Sequence, residues 1–139
     1  MVEGHSVVEA TVIFGLRTFG ASPLPVQVGL EYDTGEPYAV TTAYQTGRGT
    51  VRWMFSRDLL ADGLLTATGD GDVTISPAND PSLIVLELNA PDGSAVLEAS
   101  AQEIAAFLDR TYELVPMGGE GRWFNFDVEI GKLALRSAD

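Results

Sequence analysis

Cysteine is absent from this 139-residue chain, and histidine occurs once, at His5. The first absence removes thiolate nucleophiles, disulfide frameworks and cysteine-based zinc sites, and it leaves a reducing compartment open to the chain. The second removes a Ser-His-Asp relay and any histidine-rich metal site. A single His5 ahead of the first strand pattern reads as a solvated or structural residue. Basic residues are also scarce: eight Lys and Arg stand against twenty Asp and Glu, a net charge of −12. Nucleic-acid backbones are held by Lys and Arg that neutralise phosphates, and here only Arg48, Arg52 and Arg57 lie near one another. The charge therefore opposes nucleic-acid binding and adhesion to anionic lipid, and reads as a solubilising surface. No apolar run approaches the roughly eighteen residues of a membrane span, and Met-Val-Glu-Gly-His lacks the features of a signal peptide. The expected location is cytoplasmic.

Reaction motifs are missing as well. No P-loop is present, and Gly69-Asp70-Gly71-Asp72 fits neither a dinucleotide fingerprint nor a calcium loop, so it reads as a tight turn. The carboxylate pairs Asp58/Asp62 and Asp127/Glu129 carry no sign of the burial that would split their pKa values for acid-base work. No catalytic, cofactor-binding or metal-binding residue is assigned, and the chain is expected not to be an enzyme.

What remains is a strand-rich pattern of a length suited to one domain, residues 1–139. Strands are expected over Val7 to Phe14 and on toward Thr18, then Pro25 to Tyr32, Tyr38 to Thr46 and Thr50 to Phe55, with turns at Ser22-Pro23, Thr34 to Pro37 and Gly47 to Gly49. Val51, Trp53 and Phe55 alternate with Arg52 and Met54, as in a half-buried antiparallel strand. Ser56 is placed to N-cap a short helix through Asp62, with Gly63 in the left-handed position beyond its end. Strands resume at Asp72 to Ser76, Ser82 to Asn89 and Ser94 to Ala99. Ser100 and Glu103 form a capping-box pattern opening a second helix whose buried stripe is Ile104, Phe107, Leu108 and Thr111. A glycine-rich loop then leads to a final helix over about Asn125 to Leu135. The fold class is α+β: a mostly antiparallel sheet of seven or eight strands, in two successive meanders each followed by a helix, with the helices on one face.

Among the aromatics, Trp53 reads as core from its alternation, and Trp123 and Phe124 as packing for the final helix. If the face carrying Arg52 and Met54 is left uncovered by helices, it has the character of an interface, since methionine adapts to varied partners and arginine is enriched at contact surfaces. Arg52, Met54 and Trp123 are the candidate partner-binding residues.

One stretch says more as a string than as a pattern. Asp33-Thr34 with Pro37-Tyr38-Ala39-Val40, then Phe55-Ser56-Arg57-Asp58-Leu59-Leu60 with Gly63-Leu64, resemble the SsgA-like sporulation and cell-division proteins of actinobacteria. Leu24-Pro25-Val26, Thr68 to Val73, Pro91-Asp92-Gly93 and Phe107 to Thr111 extend the resemblance over about residues 24 to 135. It implies a whirly-like fold and a non-enzymatic cytoplasmic factor at division septa. That factor would position FtsZ, the tubulin-like division protein, or another SsgA-like protein, and would assemble as a homo-oligomer, a trimer being favoured. A single-stranded nucleic-acid binder of the same topology is the alternative, and a basic stripe on the folded surface would mark it. A small-molecule-binding domain would instead show a deep apolar pocket with convergent polar groups.

Overall fold

The computed structural model describes residues 5–69 and 71–123. Strand β1 (Val7–Thr18) and strand β2 (Ala21–Asp33) form a long hairpin, paired from Val7 with Asp33 to Thr18 with Ala21. Its two-residue turn is Phe19-Gly20, where Gly20 adopts φ +70°, a region glycine enters without a Cβ clash. The turn expected at Ser22-Pro23 is thus displaced, and both residues continue β2. Pro23 and Pro25 are tolerated because the next strand covers β2 only from Val28 to Glu31. The uncovered side of β2 takes the two missing N–H groups.

Strands β3 (Ala39–Thr46) and β4 (Gly49–Ser56) follow, joined at Gly47-Arg48. Helix α1 (Arg57–Gly63) leads to β5 (Val73–Pro77), β6 (Leu83–Ala90), β7 (Gly93–Ser100) and helix α2 (Ala101–Leu114), with a 3₁₀ turn at Glu120–Arg122. The seven strands lie in the order β4-β3-β2-β1-β7-β6-β5, all neighbours antiparallel. Two meanders, each closed by a helix, are present as the strand and turn pattern predicts, and they meet at the β1–β7 pair. The final helix expected over Asn125 to Leu135 lies outside the described residues.

Strict alternation sends one face of every strand inward. Val8, Phe14, Val28, Leu30, Tyr32, Val40, Tyr44, Ile75, Leu86 and Leu97 are buried together, and α2 lies over them through Ile104, Phe107 and Leu108. Helix α1 connects the two edge strands and packs on both, so the sheet curls until β4 and β5 face the same helix. Ser56 caps α1 by accepting from the Leu59 N–H at 2.9 Å, and Ser100 caps α2 by accepting from the Glu103 N–H at 3.1 Å.

Gly63 does not fill the left-handed position assigned to it. It is the last residue of α1, without a positive φ, and a Cβ added there would overlap the Ile75 side chain. Its role is close approach of helix to strand, which any side chain would prevent.

Candidate partner-binding surface and the buried arginine behind it

The phase of β4 decides which of its side chains a partner could reach. Phe55 faces inward and is buried, Trp53 is half-buried against the core, and Arg52 and Met54 point to the outer face of the sheet. Both described α-helices pack on the inner face, so no described helix covers Arg52 or Met54, and Met54 is 57% exposed. Cross-strand neighbours on that face are small: Ala43 opposite Arg52 and Thr41 opposite Met54. The result is a groove of about 290 Å³ in which Arg52 and Met54 stand on one side and Glu31, Asp33 and Glu36 on the other. Trp123 does not join them. It closes the 3₁₀ turn beyond α2, its N–H donating to the Glu120 carbonyl at 3.0 Å, and is 38% exposed.

The same period carries one step further than expected. Residues 51, 53 and 55 face inward, and Arg57, the first residue of α1, follows them into the core with no exposed surface. Arg57, which lies near Arg48 and Arg52 in sequence, is thus not available to a surface patch with them. Its Nη2 donates to Glu120 Oε2 at 2.8 Å, and its Nη1 donates to the Val115 carbonyl at 2.8 Å and to Thr111 Oγ1 at 3.3 Å. The guanidinium also lies 4.9 Å from the Tyr32 ring centroid and 4.4 Å from that of Tyr112, within the range where a ring face attracts a cation. One side chain thus joins β2, the start of α1, the end of α2 and the 3₁₀ turn.

Each ionisable neighbour records that placement. The Arg57 hydrogen bond holds the Glu120 carboxyl below its ordinary value, outweighing desolvation. Burial pushes the Tyr32 hydroxyl up to about 12, the Arg57 charge opposing it, and burial raises Tyr112 as well. Tyr32 donates to the Pro37 carbonyl at 2.8 Å, which locks the turn preceding β3. The alternation of β4 was the available signal for Arg57. Nothing in Gly118-Gly119-Glu120-Gly121 marks Glu120 as its partner, because that pairing spans 63 residues.

Elsewhere the sequence-assigned carboxylates Asp58 and Asp62 are exposed on α1, and Asp127 and Glu129 lie outside the described residues. His5 is 65% exposed, its Nδ1 3.8 Å from Asp33 Oδ1. Among the described cations, Arg57 is buried, Arg17 pairs with Glu98 at 2.9 Å, and Arg110 donates to the Glu9 carbonyl at 3.0 Å.

Fold and surface together define an α+β protein with a curled seven-stranded antiparallel sheet, both described helices inside the curl, and an outer face that no described helix covers. The chain belongs to the SsgA family: the family model described as Streptomyces sporulation and cell division protein, SsgA, matches residues 26–120. It is 52% identical over 135 residues to the sporulation-specific cell division protein SsgB of Saccharopolyspora erythraea, covering 96% of each chain. Against SsgB of Streptomyces coelicolor it is 44% identical over 119 residues, 84% of this chain and 87% of that one. Two solved structures superpose on it. One is the S. coelicolor SsgB whose mutations are described as correlating with longitudinal cell division during sporulation, with a TM-score of 0.84, 41% identity and coverage of 89% and 100%. The other is an SsgA-like sporulation-specific cell division protein of Thermobifida fusca, with a TM-score of 0.83, 34% identity and coverage of 95% and 98%.

Proposed function

We propose that this chain acts in sporulation-specific cell division as a non-enzymatic factor that positions the division machinery at septum sites, binding FtsZ or another SsgA-like protein. The observation that carries the reading is the match to a sporulation-specific cell division protein at 52% identity over 96% of both chains. The outer face supports it, since no described helix covers Arg52 and Met54 and both stand beside a groove. They and Trp123 are the proposed contact residues.

The chain is acidic, and FtsZ-type proteins are generally acidic too, so net attraction does not drive the encounter. Screening beyond about 8 Å at physiological salt weakens repulsion without reversing it. Contact is then local and centred on arginine and apolar side chains. Co-sedimentation with polymerised FtsZ across a salt series tests this: binding is expected to hold or tighten slightly from low to moderate salt, and to weaken in Arg52→Ala and Met54→Ala. Failure of the wild type to bind either FtsZ or an SsgA-like protein would reject the reading. A fluorescent fusion is expected at septa of sporulating hyphae. The proposed assembly is a homo-oligomer, a trimer favoured, and a monomer mass by light scattering would overturn it.

A further inference from the structure

The two edges of the curled sheet are finished differently. The outer edge of β5 is covered where Thr68 and Ile75 exchange backbone hydrogen bonds at 2.8 Å in each direction. No described residue does the same for β4. Because the Arg57 N–H donates to the Tyr38 carbonyl at 2.8 Å, every second residue back along β4 (Phe55, Trp53, Val51) turns its backbone groups toward β3. The N–H and C=O groups of Thr50, Arg52 and Met54 therefore point away from the sheet. An unpaired edge of that kind is a template for another strand.

Two concavities flank this edge, and Trp53 lines both. Inside the curl is an apolar cavity of about 420 Å³, walled by Leu16, Leu24, Val26, Val51 and Leu97 among others, a volume within the roughly 300–1,000 Å³ range of ligand sites. Outside is the groove of about 290 Å³ in which Arg52 and Met54 stand on β4 itself and the three carboxylates Glu31, Asp33 and Glu36, outnumbering that one cation, stand beyond them. A strand laid along β4 sends alternate side chains to alternate faces, one set toward the cavity and the other toward the acidic groove.

We propose that the β4 edge docks an extended segment of a partner protein as an eighth strand, with apolar residues at the positions facing the cavity and Lys or Arg at the intervening ones. The carboxylates of the groove and the chain's net charge of −12 select basic over acidic segments. The site shares Arg52, Met54 and the outer groove with the surface proposed above and rests on the premise that the chain binds a protein. Its test uses no division protein, so the two ideas fail separately.

The probes are fluorescein-labelled nine-residue peptides, and the readout is anisotropy with the full chain at physiological salt. One peptide alternates Leu with Lys, one has the same composition scrambled, one alternates Leu with Glu, and one is the Leu/Lys peptide N-methylated at alternate amides. The Leu/Lys peptide is expected to bind at least tenfold more tightly than the other three. Val51→Glu should cost at least tenfold with an unchanged circular dichroism spectrum, and the Arg52 and Met54 amides should gain hydrogen-exchange protection on binding. Equal binding of the scrambled peptide would reduce the effect to bulk charge, and equal binding of the N-methylated one would exclude strand pairing. No binding, or protection of those amides in the free chain that rises with its own concentration, would also overturn the proposal, the last by making a second copy the occupant.

Discussion

The curl has two ends, and they are built to different standards. Where α1 crosses between the edge strands, Leu60 and Ile75 are fully buried, Gly63 lets helix and strand touch, and both Nη atoms of Arg57 are hydrogen-bonded to groups at the end of α2 and in the 3₁₀ turn. Where the turns Phe19-Gly20, Gly47-Arg48 and Pro91-Asp92 gather, the inner face is open, with a cavity bordered by Leu24 and Val51, which are 53% and 47% exposed. The first end holds the fold closed. The second leaves apolar surface unused by the described chain, and unused apolar surface of that kind marks a place for binding.

If the comparison is right, substitutions at the closed end should cost stability and those at the open end should not. The largest effect is expected from Glu120→Ala, which leaves a buried guanidinium without its counter-ion. A loss on the order of 3–5 kcal/mol is expected, read from urea unfolding midpoints. Arg57→Met combined with Glu120→Met should cost clearly less than the sum of the two single changes, because no lone charge is left behind. Strict additivity would show that the pair is not coupled.

Gly63→Ala comes next, with about 1–3 kcal/mol lost as the new Cβ pushes α1 off Ile75. An unchanged melting temperature would mean that this end has slack and the contrast is overstated.

Alkaline titration should report a buried tyrosine at each end, Tyr32 beside Arg57 and Tyr44 on the cavity wall. Burial raises both Tyr32 and Tyr44 to about 12, so their neutral forms are favoured in the folded chain. Their contribution is complete below pH about 10, the unfolded value, and is lost as pH rises toward 12, by up to about 1.4 kcal/mol per pH unit for each group. Unfolding midpoints at pH 8 and pH 11 should therefore diverge, and Tyr32→Phe should flatten the difference. The opposite sign holds for Glu120, whose folded pKa is depressed: its contribution is present above its ordinary value of 4.5 and fades as pH falls below it.

The smallest stability effect belongs to the outer face. Arg52→Ala and Met54→Ala should stay within about 0.5 kcal/mol of wild type while weakening partner binding. A large loss of stability from either would move these residues from the binding surface into the fold.

Period-two alternation, turn residues and two serine caps determined the seven strands, both described helices and the inward set of side chains, because those signals are local and each acts within a few residues. The resemblance over Asp33 to Leu64 likewise needed only the order of residues. The displaced first turn, the close-packing role of Gly63 and the partnership of Arg57 with Glu120 were decided by tertiary structure. Whether Pro23 and Pro25 can sit in a strand depends on how far β3 reaches along β2, and Gly63 depends on Ile75 arriving from the other meander. Arg57 could be turned inward by the phase of β4, but its burial is tolerable only because a carboxylate 63 residues later meets it, and a long-range electrostatic match leaves no periodicity in the chain to read.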